Sequence, residues 1–551
     1  MKKIILAFFF ILIFTAVKSQ KISLVADINN VSNLGGRPSW LIEFNNKLFM
    51  DANDGNVGSE LWATSGIMGN IALIKDMNPG GSSSGPGYPV NYNGTLFFAA
   101  YDGGTTGVEL WYSNGTASGT KLLKDIYTGA NNGNPSNFMV FAGKLFFTAK
   151  SLNNGSELWV SDGSAAGTKL FKSIAAGNSD ASPVAQLIYN NRLYFTASGT
   201  EGRELWSTDG TDTGTVILKD INTGGADASP RNFVLFNNKL YFFATTAAEG
   251  EELWESDGTS AGTKLVKDIN PGTGSSNTFP TPIIFNGKLY FGADNGTTGT
   301  ELWSSDGTPT GTALVKDINT GIDGSIASNM VIAQNTLFFS AYTATYGSEL
   351  WKSDGTASGT LLVKNIRTGN ASSSPQSLTV YKNWVVFKAE TDSTGVELFV
   401  SDSTANGTFS IRLTGSTVAS PLKIGISNVP WSGFKEFKNE LYFTANFGND
   451  GYELYKLKMN PVSIGSTPKI NLLDFYPNPA QTKLTIKMNA GTSNSMAEII
   501  DMQGHVVLSK TIDFSLGESS IDISHLSAGL YFVNIIGNEA RSGSSFRFIK
   551  N

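Results

Sequence analysis

Five Asp-Gly-Thr/Ser steps, opening at Asp162, Asp209, Asp257, Asp306 and Asp354, are the first residues in this chain that could do chemistry. Carboxylates on loops can bind Ca2+, the one metal ion the sequence raises. Such a site takes about six to eight oxygens from closely spaced acids, and one carboxylate per turn falls short. The same triplet also works without metal: Asp accepts hydrogen bonds from nearby backbone N–H groups, and Gly takes the left-handed position. Asn114 keeps the acceptor without the charge, and Ser65-Gly66 lacks the acid. Structural turns are therefore expected, with no cofactor and with Ca2+ as the alternative.

Trp62, Trp111, Trp159, Trp206, Trp254, Trp303 and Trp351 allow two readings. Exposed in a row, they would stack on glycans; facing neighbouring sheets, they would fill the interior. Phe399 and Tyr455 occupy the equivalent place in later copies, which favours interblade packing. Lys-Asp steps at Lys75, Lys124, Lys219, Lys267 and Lys316 read as charges guarding an outer strand edge against aggregation.

The remaining inventory is poor for catalysis. Both histidines, His505 and His525, lie near the C-terminus, so the repeated part has no His base, His metal site or Ser-His pair. There is no Cys, which removes thiol catalysis, disulfides and lipid attachment at cysteine. Two acids suffice for glycoside hydrolysis, but each prominent acid recurs in copy after copy. The balance points away from an enzyme, with a carboxylate-based glycan hydrolase or lyase as the alternative. The net charge is −6 with Lys and Arg scattered singly, so the footprint of a nucleic-acid binder is missing.

These residues are carried by a repeat. Glu-Leu-Trp recurs at Glu60, Glu109, Glu157, Glu204, Glu252, Glu301 and Glu349, then as Glu-Leu-Phe at Glu397 and Glu-Leu-Tyr at Glu453. The spacing is 47 to 49 residues until the last step, which is 56. Before each lies a hairpin signal such as Phe236-Asn237-Asn238-Lys239, where Asn supplies positive φ between two aromatic runs. In the fifth unit the expected strands are Asn232–Phe236, Lys239–Ala244, Glu252–Ser256 and Lys264–Ile269. Four short strands and one long Gly/Ser/Pro-rich loop per unit describe the blade of a β-propeller. The ninth unit stops after Tyr455, and Leu24–Ile28 is an orphan copy of the missing fourth strand. An all-β propeller of about nine four-stranded blades, closed by the N-terminal strand, is therefore expected, with an open superhelix as the alternative.

Residues 1–19 read as a signal peptide: Lys2 and Lys3, an apolar run from Ile4 to Val17, and a small-residue cleavage site before Gln20. The run is shorter than the roughly 20 residues that span a bilayer, so no transmembrane anchor remains after cleavage. The expected layout is this peptide, a repeat domain over 20–458, a linker over 459–471 and a separate domain over 472–551. The loops between units vary while the strands keep their pattern, which locates binding specificity there. The largest departures are Trp384 and Lys388 in the eighth unit and an insertion over 415–433 holding Trp431, the candidate ligand contact.

Glu204-Leu205-Trp206-Ser207-Thr208-Asp209-Gly210-Thr211 resembles the ELWxxDGT repeat family of exported bacterial proteins over residues 20 to about 458, a likeness that implies no particular activity. The turn also resembles the Asp-box of sialidase-like propellers, which implies a structural turn. Asp474 to Ala480, with Pro477, Asn478 and Pro479, then Gly504 and finally Gly529 and Tyr531, resemble the type A sorting domain of the type IX secretion system of Bacteroidota. That likeness implies interaction with the secretion machinery and transport across the outer membrane, followed by release or attachment to surface lipopolysaccharide. From its residues alone the same stretch reads as a β-sandwich of about seven strands; a carbohydrate-binding sandwich is the alternative, disfavoured by the lack of Trp. The expected function is a secreted or surface-displayed module in adhesion, binding polysaccharide or protein, with a purely structural surface protein as a further alternative.

Overall fold

The computed structural model describes residues 20–31, 34–276, 279–411, 433–447, 451–459, 474–476, 479–487, 495–501, 506–513, 518–537 and 544–551. The expected signal peptide, residues 460–471 of the expected linker and Trp431 therefore lie outside the described residues, while Met459, expected to open the linker, ends a strand of the repeat domain. Gln20–Met459 forms one compact unit, and the described residues after Asn460 belong to another.

The first unit contains, among the described residues, nine four-stranded antiparallel sheets in a propeller-like arrangement. In the first blade the strands are Ser39–Phe44, Lys47–Asn53, Ser59–Thr64 and Ile71–Lys75; in the second, Gly87–Tyr92, Thr95–Tyr101, Val108–Ser113 and Thr120–Lys124. In the fifth they are Arg231–Phe236, Lys239–Thr246, Gly250–Ser256 and Lys264–Lys267. Its second and third strands thus run further than the sequence suggests and meet in a tight turn, Thr246 pairing with Gly250. The fourth stops two residues early, because the backbone N–H groups of Ile269 and Asn270 turn away to the Glu252 carboxylate, at 2.8 and 3.1 Å.

Alternation places one face of each sheet against the preceding blade and the other against the next. Phe236, Tyr241, Phe243 and Leu253 of the fifth blade share a core with Leu289, Phe291 and Trp303 of the sixth. The ninth sheet is built from both ends of the unit: Gln20–Ala26 pairs antiparallel with Glu453–Met459, Ile22 opposite Leu457 and Leu24 opposite Tyr455. It shares one core with the eighth blade, through Tyr381, Val386, Leu441 and Phe443. It shares another with the first blade, through Val25, Leu454, Tyr442, Leu48 and Trp62.

The second unit has seven strands among the described residues. A three-stranded sheet of Asp474–Tyr476, Lys483–Lys487 and Glu518–Asp522 accompanies a four-stranded one ordered Val506–Ile512, Ser495–Ile500, Gly529–Gly537, Ser544–Lys550. Leu484, Ile486 and Ile521 of the first pack with Ile499, Val533 and Phe548 of the second, which makes a small sandwich.

Candidate functional site

The repeated residues are engaged inside the blades. The Glu of each Glu-Leu-Trp step stands buried where the long loop leaves the fourth strand. Glu60 accepts hydrogen bonds from Met77 N at 2.9 Å, Ser84 N at 2.8 Å and Ser84 Oγ at 2.6 Å. Glu109 takes Ile126 N and Gly133 N, and Glu301 takes Ile318 N and Ser325 Oγ. Burial pushes Glu60, Glu109, Glu204, Glu252 and Glu453 up to about 7, against the N–H donors, which pull the other way. These carboxylates hold loops.

Trp62, Trp111, Trp159, Trp206, Trp254, Trp303 and Trp351 are each at most 9 % exposed, so they form no platform for a ligand. Each packs toward the preceding blade: Trp254 lies with Tyr194 and Leu205, and Trp62 with Phe437 and Tyr442 of the ninth blade. The turn Asp residues are engaged locally through Oδ1. Asp209 Oδ1 accepts from Thr211 N at 2.9 Å and Thr211 Oγ1 at 2.7 Å, and Gly210 has φ 91°. Asp162, Asp257, Asp306 and Asp354 do the same with Ser164, Thr259, Thr308 and Thr356. Among the described residues no group of three or more His, Cys, Asp and Glu stands together as a metal site.

The Lys of the fourth strand does more than guard an edge. Lys267, Lys316 and Lys364 reach the next blade and donate to the carbonyls of Thr312, Thr360 and Thr408 at 2.7, 2.7 and 2.6 Å.

Three single-copy departures meet where the first two blades adjoin. In six blades the second residue of the first strand stands at a bulge with positive φ. It is Asn137, Asn232, Asn329 and Ser377 in the third, fifth, seventh and eighth blades, at φ 53° to 59°, but Trp40 and Tyr88 in the first two, at φ 56° and 54°. Asn tolerates that region, whereas a bulky side chain there is an outlier. The Trp40 and Tyr88 rings lie 4.5 Å apart between centroids, tilted by 48°.

The third departure is Asp51, paired with Ser39 across the hairpin. Its equivalents by register are Ala99, Thr148, Thr196, Phe243, Gly292, Ser340 and Lys388. Asp51 accepts from Ser59 Oγ at 2.5 Å and from Ser39 Oγ at 3.2 Å, and burial pushes its carboxyl up to about 6. With Trp40, Ile42, Pro86, Pro89 and Phe98 it lines a cavity of about 10 Å³, room for roughly one water. The indole lies over Gly87, where a Cβ would stand in ordinary contact with Trp40 Nε1 at 3.4 Å.

The sequence pattern singled out none of these three. The signal was present in the columns of the repeat, where an acid stands in a column with no other acid and two aromatics stand where four other blades have Asn or Ser. Of the departures it did single out, Trp384 packs its ring on Phe409, and Lys388, half-buried opposite Gln376, has its pKa lowered by burial.

In the second unit Pro477, Asn478 and Gly504 lie outside the described residues. Pro479 is exposed, and Gly529 opens the strand in which Tyr531, 9 % exposed, packs on Phe548 and donates from its hydroxyl to Ser527 O at 3.0 Å. Residues 474–549 match the family described as the secretion system C-terminal sorting domain. The chain carries a type IX secretion sorting domain. The sorting domain indicates export to the cell surface or secretion, and with it interaction with the type IX machinery.

Solved structures with likeness to the chain include PorZ, a bacterial surface component of the type IX secretion system of Porphyromonas gingivalis. It is 12% identical with a TM-score of 0.35, over 93% of this chain and 75% of that one. A prolyl endopeptidase is 11% identical with a TM-score of 0.35, over 74% of this chain and 55% of that one. A puromycin hydrolase is 15% identical with a TM-score of 0.34, over 65% of this chain and 58% of that one. No curated protein matches the chain.

Proposed function

We propose that the protein is a secreted or surface-displayed binding module, acting in adhesion on polysaccharide or on another surface protein, and built on a closed nine-bladed propeller. The reading is carried by one observation: the repeated Glu, Trp, Asp and Lys side chains are engaged within and between blades. Contacts with a ligand then fall to the residues that differ from blade to blade. Closure is supported by Gln20–Ala26 completing the ninth sheet and by the core that sheet shares with Trp62. Binding is favoured over glycan hydrolysis because hydrolysis calls for two carboxyl groups flanking the bond, and Asp51 has Ser39 and Ser59 as its hydrogen-bonding neighbours.

The test is a glycan-array screen of the purified protein with and without Ca2+, beside adhesion of protein-coated beads to glycan-stripped cell surfaces. Saturable binding in either arm is expected. Absence of binding in both moves the protein to a purely structural role.

A further inference from the structure

We propose that Ile322, Ile326, Tyr342 and Tyr346, at the loop end of the junction between the sixth and seventh blades, form a docking surface for a protein partner that presents an apolar side chain flanked by Lys or Arg. The surface rests on the reading of the protein as a binding module and gives that module a place and a partner class.

Four columns of the repeat change character here at once. The residue after the first glycine of the long loop is Gly81, Ala130, Asn178, Gly225, Thr273 and Asn370 in other loops, but Ile322 in this one. Two residues before the first strand the backbone stands at φ 44° to 55°, held by Arg37, Gly85, Asn134, Ser182, Ser229 and Ser374, and here by Ile326 at 52°. A β-branched side chain there is an outlier, and strain kept where Ser serves three other loops marks a position with another use. Tyr342, paired with Ser348, stands where the second blade has Tyr101 but the third, fifth and eighth have Lys150, Thr245 and Glu390. Tyr346 precedes Gly347, where Thr106, Thr298 and Thr394 precede the matching glycine of the second, sixth and eighth blades.

Backbone bonds bring the four together. The loop that carries Ile322 and Ile326 runs between the two blades: Ser325 N and Ile326 N donate to Thr300 O of the sixth, and Tyr342 N of the seventh donates to Ser325 O at 2.7 Å. Asn319 Oδ1 accepts from Ala344 N at 3.0 Å, in the turn between Tyr342 and Tyr346. All four side chains meet water: Ile322 is 73 % exposed, Ile326 58 % and each tyrosine 38 %. Apolar side chains exposed singly are ordinary, whereas a group of them marks an interaction site.

The chemistry selects the partner. Branched aliphatic side chains gain most against a surface as apolar as themselves. A sugar's hydroxyl groups would lose water there without a hydrogen-bonding partner, so protein is favoured over glycan. The tyrosines add apolar area and carry a hydroxyl at the edge. Residues 294–300, 319–327 and 341–348, the two turns and the loop between them, hold Asp294 and Asp323 and no Lys or Arg. On the far flank Arg367 is engaged by Glu390 at 3.3 Å and Asp392 at 2.9 Å. The surroundings are acidic, which favours basic residues around the partner's apolar anchor.

The test uses the full-length protein and three sets of synthetic peptides: apolar cores of Leu and Phe flanked by Lys and Arg, the same cores flanked by Asp and Glu, and Ser-Gly cores flanked by Lys and Arg. Binding is read by fluorescence anisotropy for the parent and for Ile322→Gly, Ile326→Ser, Tyr342→Thr and Tyr346→Thr, each installing a residue that another blade uses at that place. The first set is expected to bind the parent best, more weakly as salt is raised. Ile322→Gly and Ile326→Ser should each lower that affinity by about tenfold, and Ile326→Ser should melt no lower than the parent, since it relieves the strained φ. Equal affinity in parent and all four variants, no binding of the first set, or binding of either other set as tight as the first overturns the docking surface. So does a parent dimer in light scattering that the variants abolish, which would give the surface to a second copy. The glycan-array and bead assays report on the binding reading separately, so that reading can stand where this surface fails.

Discussion

The Glu453 carboxylate accepts a hydrogen bond from Gly36 N at 2.6 Å, joining residues 417 apart in the chain. It also takes Ile28 N at 2.9 Å and Asn29 N at 3.2 Å, so one side chain holds the N-terminal strand and the first loop to the ninth blade. Glu453→Ala leaves these buried N–H groups without their acceptor, at about 1–3 kcal/mol each. A loss of about 3 kcal/mol or more is expected in urea unfolding. Hydrogen exchange should show Gln20–Ala26 opening first, which Glu252→Ala should not cause. Continued protection of that strand in Glu453→Ala would mean the seam is held by packing alone.

Stability should fall as pH rises from about 5 to 7.5. Burial lifts Glu60, Glu109, Glu204, Glu252 and Glu453 from 4.5 to about 7. Between those values the folded protein holds more protons than the unfolded chain, so unfolding becomes easier with increasing pH and levels off above about 7. The exposed turn residues Asp162, Asp209, Asp257, Asp306 and Asp354 are shifted downward by their turn hydrogen bonds. Their stabilisation is lost only as pH falls below the ordinary Asp range. The melting temperature should peak near pH 5, and a melting temperature that climbs from 5 to 7.5 would contradict the assignment of burial as the dominant cause.

What recurs in this chain was legible in its sequence, because each recurring residue has one job that its type advertises. Asn237-Asn238 marks a hairpin, Asp209-Gly210-Thr211 a turn, and Leu24–Ile28 the missing place in the ninth unit, although the strand that fills it is Gln20–Ala26, four residues earlier at its start. Glu252 was visible as a landmark but not as a loop anchor, since its partners Ile269 N and Asn270 N are backbone groups that carry no sequence signal. The cluster at Trp40 stayed hidden for two reasons. Residue type argues against positive φ at Trp40 and Tyr88, and the equivalence of Asp51 with Thr148 and Thr196 requires the register of each first hairpin. A periodic reading also directs attention to what is repeated, whereas this cluster consists of what is not.

Gly258 and Gly272 separate a backbone effect from a contact between blades. Both have positive φ, 94° and 90°, so an added Cβ is strained at either by about 1–2 kcal/mol. At Gly272 the Cβ meets nothing within 4 Å, whereas at Gly258 it would lie 2.5 Å from the Tyr194 hydroxyl of the preceding blade. Gly258→Ala should therefore be more destabilising than Gly272→Ala in thermal melts, with Tyr194→Phe relieving part of the difference. Equal losses would show that the turn and the tyrosine move apart freely.

The fourth-strand lysines give the sharpest contrast between two readings of one residue. As an edge guard, Lys316 would act on association, and its loss would cause aggregation at unchanged stability. Its Nζ instead donates to Thr360 O of the seventh blade at 2.7 Å, a charge-assisted bond on a partly buried path, worth about 1–2 kcal/mol. Lys316→Met keeps the aliphatic stem and removes the donor. The expected outcome is a lower melting temperature with an unchanged monomeric profile in light scattering, and a parallel effect for Lys364→Met, whose partner is Thr408 O at 2.6 Å. Aggregation without a drop in melting temperature would return these residues to edge protection.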